Sequence, residues 1–268
     1  MEHSNVSQRR SEMSREQKEQ ERELHREIRP QLALASLGAL LVGVAYLLLP
    51  DTLTVGPNWL VLAVEAVVLV PLTAAAYFRP HTIPFPLARR IRTSLLVVLT
   101  LALLSSIALL VGALPGYGPE RGRQLLQPAV LLWLSNILIF ADWYWELDGG
   151  GPAQRHWHGR QVGDFLFPQY TMQTVPVLVS PSPPSPPSPP SSQAQARGRA
   201  EGSARRGGHQ RWMPGFIDYV FLAFCFATAL SPADTAPLTP RAKLLMMAEA
   251  LFSLTIAALL IARSINIL

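Results

Sequence analysis

Five runs of about twenty apolar residues set the limits on what this chain can fold into. They are Leu32–Leu49, Trp59–Phe78, Ser94–Leu114, Leu126–Trp145 and Lys243–Ile261. A bilayer has a hydrocarbon core about 30 Å thick, which a helix of about 20 largely apolar residues crosses. Only 15% of the residues are charged, against about 25% in a soluble domain, and those charges gather between the runs. The pattern predicts an all-α, polytopic transmembrane helix bundle.

A sixth apolar segment, Phe216–Leu230, is short. Its 15 residues cover roughly 22 Å as a helix at about 1.5 Å per residue. Two arrangements follow. In one the bundle has about six spans, and residues 213–268 form a C-terminal transmembrane hairpin. In the other there are five spans plus a re-entrant helix that enters and leaves by one face. Six spans is the expected arrangement, because a hairpin of ordinary helices is the commoner solution.

Lys and Arg orient the bundle, since cytoplasmic loops carry their excess. Residues 1–29 hold seven, 79–92 hold four and 146–215 hold seven, whereas 50–58 hold none and 115–125 hold two. The N-terminus is therefore expected in the cytoplasm, and the protein in the plasma membrane of the cell. With six spans both termini are cytoplasmic. The net charge of +5 reflects this bias and calls for no nucleic acid.

Outside the four-span region at 30–146, the segments are polar. Residues 1–29 read as a charged cytoplasmic helix or tail, with Ser14 and Gln17 placed for a capping box and no apolar stripe to bury. The loop 79–93 is basic and Pro-rich, a topology anchor ahead of the third span. Residues 147–212 form a cytoplasmic loop. Within it, 180–210 contains SPSPPSPPSPP, polyproline II by composition, and then a polar, basic stretch with no core-forming residues. This low-complexity insert reads as disordered, and it is the segment that could dock a cytoplasmic protein partner.

Polar residues inside the runs are the candidate site, because ionisable groups are costly in hydrocarbon and must face protein or water. Glu65 lies six residues into the second run, about 9 Å deep at the usual rise, with Pro71 beyond it to kink the helix. Asn136 in the fourth run is expected to partner another helix, and Glu249 lies near the middle of the last run. Asp234 sits in the Pro-broken turn between Phe216–Leu230 and the last run. Asp142, Glu146 and Asp148 gather beside an aromatic belt of Trp143, Tyr144 and Trp145, and are expected to pair with basic residues such as Arg155. His156 and His158 lack companions for a metal site, and Cys225 reads as a packing residue. The phosphate-binding loop, the zinc-protease motif and the nucleophile elbow are absent from the sequence. No enzyme, metal or cofactor is expected.

The motifs SNILIFADWYWELDGGGPAQR at Ser135–Arg155, GDFLFPQ at Gly163–Gln169, DYVFLAFCFATALSPADTAPLTPRAKLLM at Asp218–Met246 and IARSINIL at Ile261–Leu268 resemble a family of uncharacterised bacterial multi-pass membrane proteins. The resemblance implies the membrane class and no activity. The Pro/Ser and Arg/Gly stretch departs from the pattern as an insertion. More distantly, the turn at Thr228–Pro237, set between a short and a long apolar segment, resembles the pore loop of potassium channels. The Gly-Tyr-Gly core of that filter is missing, and Pro232 fixes φ where glycine would free it.

Two functions are compatible with this pattern. One is a channel- or transporter-like protein using Glu65, Asp234 and Glu249. The other is a non-transporting membrane scaffold that recruits partners through residues 1–29 and 180–210. A wet cavity shared by Glu65 and Glu249 would favour the first, a dry packed bundle the second.

Overall fold

The structure, a computed structural model, describes residues 29–78, 83–113, 122–157, 163–170, 212–228 and 235–265. The charged N-terminal segment, Asp234, Asn266, His158 and the insert at 180–210 lie outside them. Seven helices occur among the described residues: α1 Arg29–Leu47, α2 Trp59–Phe78, α3 Phe85–Ala113, α4 Gly122–Leu147, α5 Pro152–Trp157, α6 Phe216–Ala227 and α7 Pro240–Ile265. Five of them, α1 to α4 and α7, are long and apolar enough to cross a membrane. A two-stranded antiparallel ribbon completes the set, β1 (Phe165–Leu166) pairing with β2 (Ala236–Pro237).

The helices follow the apolar runs except at α3. There the basic residues expected in a loop form the first turns of the helix instead, starting from Pro84, whose carbonyl accepts the N–H of Leu87 and of Ala88. Arginine is a good helix former, and this placement lets Arg89 and Arg92 reach α4. α2 continues through Pro71. At the turn between α1 and α2, Asn58 caps the end of α1 through Leu47 O at 3.1 Å, and Leu53 is buried.

α4 is the central helix. Its span is 61% buried, against 17% for α2 and 22% for α7, whose other faces carry exposed Val, Leu and Met suited to lipid. One side of α4 meets α3, and the others meet α6 and α7. The core of α1–α4 is built from Val42, Leu69, Leu99, Leu103, Leu110 and Leu132.

The short helix α6 decides the topology. It begins beside the end of α4, with Phe216 edge-on to Trp145 at 5.9 Å. Its Phe216 N–H is held at 2.7 Å by Gln31 at the start of α1. It ends beside Trp133, whose indole N–H donates to Ala227 O at 3.3 Å. The 12 residues of α6 rise about 18 Å, well short of a crossing. The chain is then back at its starting level by β2, because β2 pairs with β1, and Leu238 N–H donates to Asp164 O at 2.8 Å. Among the described residues the molecule therefore has five helices long enough to cross and one shorter apolar helix, α6, in place of six of crossing length. The start of α7 lies at the end of the bundle where α1 starts, and α7 runs antiparallel to α4 toward the opposite end.

Residues Phe167–Met213 form a second compact unit. Within it Trp212 packs edge-on against Phe167 at 5.7 Å and Tyr170 at 5.3 Å.

Candidate functional site

The acids at the end of α4 are arranged first by glycine. Asp148–Gly150 form a 3-10 turn, and Gly149, Gly150 and Gly151 all take positive φ of 58°, 85° and 94°. A side chain there would strain the backbone. The turn brings Asp148 under Asp164, and the two form a reciprocal clasp. Asp148 Oδ1 accepts the N–H of Asp164 and, at 3.2 Å, that of Phe165, while Asp148 Oδ2 accepts the Tyr219 hydroxyl of α6. In return Asp164 Oδ2 accepts the Gly149 N–H at 3.0 Å. Arg155 Nη1 donates to the Trp145 and Asp148 carbonyls at 3.0 and 2.7 Å. Asp164 Oδ1 also takes the Thr239 hydroxyl at 2.6 Å and Arg241 Nε at 2.9 Å. Burial pushes the Asp164 carboxyl up, but the bonds from Thr239, Arg241 and Gly149 outweigh it and hold the group below the ordinary aspartate range. Nearby, Glu146 lies between Arg89 at 3.5 Å and Arg92 at 3.7 Å. Arg92 also stacks over Trp145 at 4.5 Å. Asp148 and Glu146 thus have basic partners, as expected, and their oxygens serve the fold.

Further along α4, Asn136, Phe140 and Tyr144 recur every four residues and make one stripe facing α7. Asn136 Nδ2 donates to Ser253 Oγ at 2.7 Å. Phe140 meets Phe252 edge-on at 5.8 Å. The Tyr144 hydroxyl donates to Glu249 Oε2. Glu249 and Asn136 each keep one oxygen without a hydrogen bond.

On the other flank of α4 the situation is reversed. Glu65 is 0% exposed, yet neither carboxylate oxygen has a hydrogen-bond partner. Its place is set by Gly43 of α1. A methyl group there would clash with Glu65 Oε2 and stand 2.8 Å from the Leu62 Cα. Tyr46 of α1 and Asp142 of α4 lie within electrostatic range of Glu65. The Tyr46 hydroxyl and Ser106 of α3 are neighbours. Asp142 Oδ2 is likewise unpartnered, with Arg92 and Glu146 as its charged neighbours. All four residues are at most 3% exposed.

The expected site residues are therefore divided. Glu249 and Asn136 share the α4–α7 seam, Glu65 belongs to the α1–α4 core, and Asp234 lies outside the described residues. Asp142 and Tyr144 are two residues apart, so on a helix they point about 200° apart, which keeps Glu65 and Glu249 on separate flanks. Reading by spans missed Tyr46, Gly43, Ser106 and Asp142 as companions of Glu65. A lone glycine in an apolar helix was the available signal for close approach of another backbone or side chain. Among the described residues, apolar grooves of about 400 Å³ lie between α1 and α2 and of about 540 Å³ among α1, α4 and α6. Neither includes Glu65 or Glu249, so the wet cavity shared by these two acids that was expected of a transporter is not found among the described residues.

No protein-family model, no curated protein and no solved structure matches this sequence.

Proposed function

We propose that this is a channel- or transporter-like protein of the plasma membrane whose path runs through the α1–α4 core at Glu65 and Asp142. The observation that carries the reading is Glu65, fully buried inside an apolar span with both oxygens unpartnered. An unsatisfied polar group in hydrocarbon costs several kcal/mol, roughly, and such residues mark ion or proton paths. Tyr46 and Asp142 lie within electrostatic range of Glu65, and Ser106 neighbours Tyr46. Glu249, bonded to Tyr144, is assigned to packing and not to the path.

The N-terminus is placed in the cytoplasm by the Lys and Arg bias. A re-entrant α6 keeps Arg241 and Lys243 on that same side and puts the C-terminus outside. Membership of the uncharacterised bacterial membrane family is part of this proposal and rests on the motif segments. The reading that it is no enzyme rests on the missing catalytic motifs. A second reading is a scaffold recruiting a cytoplasmic partner through 180–210, whose Pro/Ser-rich and basic composition motivates it.

Ion flux in proteoliposomes tests the first reading. Glu65→Gln and Asp142→Asn should each abolish most of it, whereas Glu249→Gln should leave it in place. Flux that ignores Glu65 and Asp142 overturns the path. Reporters fused to the two termini should report opposite sides of the membrane.

A further inference from the structure

We propose that the groove between α1 and α2 holds an acyl chain of an anionic phospholipid, whose phosphate is bound by Arg29 at the mouth of the groove. The site is separate from Glu65 and stands whether or not an ion passes there.

The inference starts from an unpaired cation. At the end of the bundle where α1 starts, Arg89 and Arg92 pair with Glu146, Arg155 with Asp148, and Arg241 with Asp164. Arg29, the first residue of α1, has no carboxylate partner among the described residues. Its Nε is buried without a hydrogen bond. A guanidinium N–H left unbonded away from water is costly, and an anion from outside the bundle removes that cost.

The groove begins beside that same side chain. The Arg29 guanidinium carbon lies 5.9 Å from the centre of the Tyr77 ring, and the Tyr77 hydroxyl donates to the Arg29 carbonyl at 3.3 Å. Tyr77 lines the groove together with Ala33, Leu37 and Leu40, which recur on the face of α1 that Arg29 begins. Apart from Tyr77, the polar side chains in the lining are Ser36 and Thr73, and they bond each other at 3.0 Å. The walls therefore suit a hydrocarbon occupant. The volume of about 400 Å³ falls in the range of roughly 300–1,000 Å³ for small-molecule sites.

Length decides between a lipid and a second copy of this chain. The groove follows α2 from Leu69 to Phe78, a rise of about 14 Å at the usual pitch. That is one leaflet, half of a hydrocarbon core about 30 Å thick. A span from another copy would need a groove of full depth. A lipid in the leaflet nearest Arg29 needs half, and its phosphate then sits at the end of the bundle. Arginine reaches that level while its stem stays on apolar surface, and its fork of donors matches phosphate oxygens.

Native mass spectrometry of the full-length protein in mild detergent tests this. Equal amounts of phosphatidylglycerol and phosphatidylcholine with matched chains are added, and the first lipid retained is identified. The expected result is phosphatidylglycerol, preferred roughly fivefold, the weight of one cation at a lipid surface. Arg29→Gln should bring that ratio near one, and Arg29→Lys should keep most of it. Ala74→Leu, which fills the groove from its wall, should cut retention of both lipids. A preference that survives in Arg29→Gln overturns the headgroup assignment. Retention unchanged in Ala74→Leu overturns the groove. Displacement of the lipid by inorganic phosphate, or a dimer that Ala74→Leu dissociates, puts a free anion or a second copy in its place and overturns the proposal.

Discussion

Asp148 and Glu65 are both 0% exposed carboxylates, and they sit in opposite surroundings. Asp148 accepts two backbone N–H groups and a tyrosine hydroxyl, with Arg155 beside it at 3.9 Å. Glu65 accepts no hydrogen bond. Burial alone therefore does not separate a structural acid from a working one. Satisfaction does. A carboxylate whose lone pairs are used by the fold is fixed in one place. One whose lone pairs are free has capacity left for water or a proton.

The comparison breaks most visibly at Asp148. Asp148→Ala would orphan two buried N–H groups, the Tyr219 hydroxyl and the Arg155 charge. Removing one partner of a buried pair costs about 3–5 kcal/mol. The expected outcome is a large drop in melting temperature in detergent, or failure to accumulate. Unaltered melting would show that the clasp does not hold the bundle end.

Asp164 gives a smaller effect with a pH signature. Its native carboxyl is held below the ordinary range, so the unfolded chain binds its proton first as pH falls. The stability it supplies is complete above the unfolded value of about 3.9. That stability is lost as pH drops from there through the lower native value. Melting temperatures taken downward from about pH 5 should start to fall near pH 4, and Asp164→Asn should remove that part of the slope. The substitution itself should cost about 1.5–3 kcal/mol, the range for hydrogen bonds to a charged group.

Tyr144→Phe leaves the second Glu249 oxygen unpartnered and should cost about 1–3 kcal/mol in chemical denaturation, with flux retained. Gly43→Ala overpacks the α1–α2 contact, a change typically worth about 1–3 kcal/mol. Its penalty should shrink in the Glu65→Ala background, where one of the two clashes is gone. Glu65→Gln has the smallest expected effect on stability, under about 1 kcal/mol, because no hydrogen bond is lost, yet the largest on flux. Destabilisation as large as that of Asp148→Ala would mean that Glu65 is a structural acid too.

Much of the bundle was legible along the chain. Trp59–Phe78 is the second helix to the residue, and the pairing of the acids after Tyr144 with nearby arginines followed from helix-end electrostatics. The extension of α3 back to Phe85 was hidden, because Arg89, Arg90 and Arg92 read as loop when no partner is in view. Glu146, more than fifty residues later, makes them helix. Glu65 was found by its cost in hydrocarbon. Its companions Tyr46, Ser106 and Asp142 were not, since each looks ordinary at its own position.

By itself the sequence determined that this chain fills a membrane with helices. Hydropathy is summed along the chain, and about 20 apolar residues in a row have few other uses in water or lipid. Only the tertiary structure decided that α6 turns back and that Glu65 and Glu249 lie on opposite flanks of α4. The same holds for Asp148, used up by the fold, and Glu65, left free. Those outcomes depend on which helix faces meet, and a rotation of 100° per residue makes each face a property of the packing partner as much as of the residues that line it.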